Sequence, residues 1–271
     1  MILIDTARMA RLGLAARLKR ARRTEPECDE VKDWIRSVRN EGVCAVPNFY
    51  DPATCERLRQ EVLDIAENNP EAVQMMSNDA DRRIFGAEHA ARGIRAFAED
   101  SRLLNAARTM LGGDAANAFT LAGIIAYRPG NLGSGEGWHR DSFFNQFKAI
   151  VYLTDVTVDN GPFEYITRSH RTRQKFSDHA EYGIPLNSTR IDDASVGKLI
   201  AAESERHRIL TAAKGTLLLV DTTGIHRGMP LIGGERYALT NYYLPGKALK
   251  PKLFDSYAPL LGWDVPVSAP I

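Results

Sequence analysis

Apolar positions change their spacing near residue 115, and that change organises the chain. Val31, Trp34, Ile35 and Val38 recur at helical spacing behind the acidic run Glu25, Glu27, Asp29 and Glu30, and Gly42 stands where a helix of about 12 residues would end. Val43 to Phe49 reads as a short strand. Asp51 followed by Pro52 is an N-cap with proline at the first helical position, and Cys55, Leu58, Val62 and Ile65 fall on one face of the helix it opens. Further helix is expected at 87–97 and 100–112, ending at Gly112 and Gly113, so the first ~115 residues read as mostly helical.

From Ala118 onward β-branched and aromatic residues dominate, punctuated by Pro129-Gly130, Asn160-Gly161-Pro162 and Gly233-Gly234. Strands are expected at 119–127, 147–155, 163–166, 208–210, 216–220 and 237–244, with 216–220 apolar throughout and therefore buried. The polar stretch 170–205 reads as an excursion with one helix at 192–204, placed to form a lid. Short strands split by turns imply a β-sandwich or barrel, here with a helical N-terminal layer. The chain is divided into a basic arm at 1–25 and one domain at 26–271, with helices over about 26–115, a barrel over about 116–245 and a tail at 246–271.

Composition narrows the field. The 271 residues carry a net charge of +1, which gives no global field to recruit nucleic acid. Three scattered cysteines, Cys28, Cys44 and Cys55, with no CxxC pair point to reduced thiols and a cytoplasmic protein. The first 23 residues are an exception: seven basic residues face the single acid Asp5, interleaved with Leu12, Leu14 and Leu18. A helix here would be basic and amphipathic, suited to peripheral contact with a membrane surface, or else simply solvated.

The strongest local chemistry is Gly137-Trp138-His139-Arg140-Asp141. On a strand, residues two apart share a face, so His139 and Asp141 can reach one ion. His226, beside Gly224 and Gly228 after the buried strand, supplies a third ligand. Two histidines and a carboxylate leave three octahedral positions open, which suits iron(II) that must also bind a co-substrate and dioxygen. Zinc more often takes a third nitrogen or sulfur ligand. A turn at 231–234 would fold the strand of Arg236 back beside that of His226, placing a guanidinium within reach of an anion near the metal.

His139-x-Asp141, His226 and Arg236 together resemble the phytanoyl-CoA dioxygenase family of 2-oxoglutarate oxygenases. So do Gly42 to Phe49 followed by a helix, Ala126-Tyr127-Arg128-Pro129-Gly130, and the segment 155–162 followed by Arg168-Ser169-His170, where Arg168 replaces the family's usual glycine. The resemblance covers roughly 30–245. It implies a double-stranded β-helix (a jelly-roll barrel) with iron at its open end and 2-oxoglutarate chelating the iron, its far carboxylate on Arg236. It also implies a second co-substrate contact at Lys148, and oxidation of a substrate C–H bond with release of succinate and carbon dioxide. A carboxylate at Asp141 favours hydroxylation over halogenation. Tyr127, Phe143 and Asn145 stand close enough in sequence to the ligands to border a substrate, expected to be a small or carrier-linked metabolite and not nucleic acid. The competing reading is a catalytically silent barrel that binds a small anion.

Overall fold

The computed structural model describes residues 24–144 and 146–249, so the basic arm at 1–23, Asn145 and the tail after 249 lie outside the described residues. Helix α1 (Asp29–Glu41) buries Val31, Trp34, Ile35 and Val38 and is closed by Gly42 at φ +92, a left-handed conformation that favours glycine. The N–H of Gly42 donates to Val38 O. Helix α2 (Pro52–Asn68) starts where Asp51 accepts from the Thr54 N–H at 2.7 Å, and it buries Cys55, Leu58, Val62 and Ile65. Two shorter helices, α3 (Arg92–Ala98) and α4 (Ser101–Leu111), complete the layer.

These helices cover one face of a seven-stranded antiparallel sheet. Its strands are β1 (Val43–Val46), β2 (Val73–Met76), β3 (Asp81–Phe85), β4 (Ala116–Ala126), β5 (Phe147–Tyr152), β8 (Leu217–Asp221) and β10 (Glu235–Leu244), in the order β1-β8-β5-β10-β4-β3-β2. A second sheet of β6 (Phe163–Ile166), β7 (His207–Leu210) and β9 (His226–Gly228) runs β7-β6-β9. Strand parity divides the side chains. Phe147, Ala149, Val151, Leu217, Leu219, Tyr237 and Leu239 pack under the helices. Ile150, Tyr152, Leu218, Val220 and Ala238 meet Phe163 and Tyr165 of the small sheet in a second core. With both faces of the large sheet covered, β8 has no polar side, which is why it reads as an unbroken apolar run. The result is the expected jelly-roll barrel with a helical layer outside it.

Three sequence expectations need correction. The region expected to be helical up to ~115 contains the hairpin β2–β3, which adds two edge strands to the large sheet beside β4. The 170–205 excursion holds two helices, α5 (Thr172–Tyr182) and α6 (Asp193–Ala202). The turn near 231–234 does not pair the Arg236 strand with the His226 strand. β9 pairs with β6, whereas β10 lies between β4 and β5, so this turn carries the chain from one sheet to the other. Arg236 and His226 therefore approach the interior from opposite walls.

Candidate metal centre

His139 and His226 are joined by a two-residue antiparallel bridge, N–H to O at 2.9 Å in both directions. Asp141, in a bend two residues on, donates its N–H to Thr222 O at 3.0 Å, out of register with that bridge. The strand expected at 139–141 is not formed: His139 is an isolated bridge and Asp141 lies in a bend, yet both side chains still reach one space. One ligand atom from each of His139, Asp141 and His226 lies within 4.8 Å of the others. Asp141 Oδ1 is 3.6 Å from His139 Nε2 and 3.8 Å from His226 Nε2.

Both imidazoles are oriented alike. His139 Nδ1 lies 2.8 Å from Gly137 O and His226 Nδ1 lies 3.0 Å from Gly224 O. With Nδ1 donating to a carbonyl two residues back, each Nε2 presents a lone pair to the common space. The His226 ring is stacked on Phe163 with centroids 5.3 Å apart. Burial first, and then neighbouring His139, push His226 down to about 3, so the ring is neutral near pH 7. At Asp141 burial works the other way, but Lys148, His226 and His139 outweigh it and hold the carboxyl well below the usual range. Lys148 Nζ sits 2.7 Å from Asp141 Oδ2. The donor set therefore offers the neutral Nε2 of His226, the Nε2 of His139 turned to the same space, and one anionic oxygen, a set that suits a divalent transition metal.

Several supports keep these ligands in place. Arg140, buried between the two ligands of the HxD motif, donates from Nη1 to Ser169 O at 2.7 Å and Thr223 O at 2.6 Å, with burial lowering its pKa to about 10. Ser169 Oγ accepts from the Ile225 N–H at 2.7 Å, next to His226. Arg168 adopts φ +66, a left-handed conformation that glycine would take without strain. Its backbone N–H donates to Glu41 O and its guanidinium reaches Glu205 at 3.2 Å. The excursion is bonded to the motif itself, Arg140 N–H to Thr189 O and Ile191 N–H to Trp138 O, so it stands as a wall beside the ligands.

The ligand atoms open into a cavity of about 290 Å³. Arg236 lines it, as do Asp81 and Arg83 of β3, Lys148, Tyr152, Thr189 and Arg190. Asp81, Ile125 and Arg236 stand in one row across β3, β4 and β10. In the adjacent row Arg83, Gly123, Ala238 and Tyr152 lie side by side, so the cavity floor has two nearly bare backbone positions between two large side chains. Arg236 is 6 % exposed, and burial pulls its guanidinium pKa down. It donates to Gly161 O, while its buried Nε has no hydrogen-bond partner among the described residues. A buried cation with an unused donor is costly, and an anion in the cavity would relieve that cost.

The phytanoyl-CoA dioxygenase family model matches residues 38–234. The chain belongs to the phytanoyl-CoA dioxygenase family. Among curated relatives it is 27 % identical over 215 residues to the ectoine dioxygenase of Halomonas elongata, a match spanning 69 % of this chain but only 61 % of that protein. Its fold is similar to that of the non-heme alpha ketoglutarate dependent epimerase SnoN from nogalamycin biosynthesis, with a TM-score of 0.61 at 14 % identity, covering 89 % of this chain and 92 % of that one. It is also similar to EctD from S. alaskensis solved with 2-oxoglutarate and 5-hydroxyectoine, with a TM-score of 0.58 at 18 % identity, covering 78 % and 74 %.

Within this family framework the structure brings together His139, Asp141, His226, Lys148 and Arg236 around one cavity. It does not bring the aromatic substrate candidates there. Tyr127 is 43 % exposed and Phe143 is buried, and neither lines the cavity; Asn145 is outside the described residues. Tyr127 follows the end of β4, where its N–H bonds Gly234 O at the turn between sheets. Sequence reasoning missed Asp81 and Arg83, which reach the site from β3. Their alternation around Arg82 is the available signal, masked because the segments on either side carry helical spacing. Among the described residues no helix is long and apolar enough to cross a membrane.

Proposed function

We propose that the chain is a mononuclear iron(II)- and 2-oxoglutarate-dependent dioxygenase that hydroxylates an unactivated C–H bond of a small or carrier-linked metabolite. The observation that carries this reading is the convergence of three ligand atoms within 4.8 Å on a cavity also lined by a buried arginine with an unused donor. Family membership and the likeness to ectoine dioxygenase support it. The residues fit the cofactor: the two Nε2 atoms and the Asp141 carboxylate would hold the metal, and the Arg236 fork would take the far carboxylate of 2-oxoglutarate. When bound, iron, 2-oxoglutarate and dioxygen supply the oxidation, with succinate and carbon dioxide as co-products.

The chain's own residues bind, orient and exclude water. Arg140 and the bridge between His139 and His226 fix the ligand backbone, and Phe163 packs one imidazole against the core. Thr189 and Arg190 wall the cavity, where the Arg190 guanidinium bonds Gly135 O and Glu136 O of the loop before the motif. At about 290 Å³ the space is at the low end for ligand pockets, about 300–1,000 Å³, and co-substrate must share it. That size favours a small reacting group, with any carrier left outside.

Anaerobic titration of iron(II) and 2-oxoglutarate into metal-free protein tests the proposal. A visible charge-transfer band is expected, and Asp141→Ala or His226→Ala should remove it. Folded protein that binds 2-oxoglutarate without the band would favour the silent anion-binding barrel.

A further inference from the structure

We infer that Lys148 is a positioning residue that makes Asp141 a one-oxygen ligand, an inference that rests on the metal reading above. The two carboxylate oxygens have different neighbours. Oδ1 faces the histidines at 3.6 and 3.8 Å, whereas Oδ2 is turned away onto Lys148 Nζ at 2.7 Å. Lys148 is the side chain in ion-pair contact with Oδ2; the contact is electrostatic, since Oδ2 accepts no well-directed hydrogen bond among the described residues.

The lysine is itself held. It stands on β5 in register with Tyr242 on one side and Val220 on the other. Its ammonium lies 4.1 Å from the centre of the Tyr242 ring, and the residue is 7 % exposed. A cation over an aromatic face and against a carboxylate has two attractive partners and little room to swing. A carboxylate with both oxygens free can turn either or both onto a metal. With Oδ2 drawn to the Lys148 charge, Oδ1 is the oxygen left facing the histidines, and a metal held by one oxygen of Asp141 would keep three positions for exchangeable ligands. This role differs from a direct contact with 2-oxoglutarate, the role implied by family resemblance, and it operates before any co-substrate arrives.

Cobalt(II), whose visible d–d band reports coordination number, is a suitable probe with the full chain and without 2-oxoglutarate. Lys148→Met is expected to bind cobalt(II) ~10–100-fold more weakly, the usual effect of losing an outer partner of a ligand, and to change the shape of the band. Lys148→Arg should restore both toward wild type. Lys148→Gln replaces the Met variant if circular dichroism shows that variant unfolded. The sign of the affinity change is decisive. If Lys148 were only a counter-ion filling the metal's place, removing its charge would strengthen binding and leave the band unchanged, which overturns the inference. Unchanged cobalt(II) affinity and band with weaker 2-oxoglutarate binding overturns it in favour of the co-substrate contact. Cobalt(II) binding that survives in Asp141→Ala overturns the metal reading itself.

Discussion

His139 and His226 exchange both of their backbone hydrogen bonds, each N–H 2.9 Å from the other's carbonyl oxygen, although 87 positions separate them in sequence. The bridge sets the imidazoles tilted toward each other with centroids 4.3 Å apart. What keeps the His139 ring in place is Gly135. A Cβ there would stand 2.3 Å from His139 Cε1, at a residue with φ +85. Gly135→Ala is expected to lower metal affinity ~10–100-fold by displacing the ring. Gly137→Ala is the control. At φ +89 with nothing within 4 Å of its Cβ, it should cost about 1–2 kcal/mol of backbone strain and lower metal affinity less than Gly135→Ala, because it adds no atom against the His139 ring. Metal titration beside thermal unfolding separates the two, and equal metal affinities in both variants would refute the steric account.

Arg236→Leu removes a buried guanidinium from the cavity wall. Losing a charge-assisted pair of hydrogen bonds costs about 1.5–3 kcal/mol, so the KM for 2-oxoglutarate should rise ~10–100-fold. Iron(II) binding alone should be unaffected. Arg236→Lys keeps the charge but not the fork and should fall between the two. An unaltered KM in the leucine variant would mean that the co-substrate binds elsewhere.

The excursion is fastened by a different set of charges. Arg206, fully buried, pairs with Asp178 at 2.8 and 2.9 Å and with Glu203 at 2.9 Å, and its Nε donates to Thr167 O. Arg206→Met leaves the Asp178 carboxylate buried without its partner, a loss of about 3–5 kcal/mol. Urea unfolding should show it. A shift below about 1 kcal/mol would mean the pair is dispensable.

The metal-free protein should weaken in mild acid. His226 is held at about 3 when folded, against an ordinary value of 6.5, so between those values the unfolded chain binds a proton that the folded chain refuses. Stability then falls as pH falls, by up to about 1.4 kcal/mol per unit, or about 2 kcal/mol from pH 7 to pH 5. Asp141, also held below its ordinary value, adds a loss of the same sign at lower pH. Urea midpoints of wild type and His226→Gln at the two pH values check this. Parallel slopes would place the acid sensitivity elsewhere.

Much of this architecture could be read from the sequence, for identifiable reasons. Helices α1 and α2 show an apolar stripe and a cap, and β8 is apolar because both its faces are covered. The ligands stand out because glycines crowd around them. The hairpin β2–β3 was hidden because only Asp81 and Ile84 of its third-strand residues are buried, and Asp81 is polar. Helix α5 was missed for a similar reason: its buried residues are Lys175 and Asp178, so it has no apolar stripe. The pairing of Arg236 was misjudged because a turn signal does not say whether the next strand stays in the same sheet.

Gly123 and Ala238, side by side on the cavity floor, carry a consequence of their own. Gly123 has no left-handed φ, and a Cβ on it would meet only Ala238 O, at 3.8 Å. Nothing in the backbone demands glycine there. A side chain at 123 can grow by one carbon and narrow the chamber beside Arg83 while keeping the backbone conformation the sheet already has. The metal-ligand candidates stand on the small sheet and the segment bridged to it, whereas this floor belongs to the large sheet, so the volume of the chamber and its donor set are built by different parts of the scaffold.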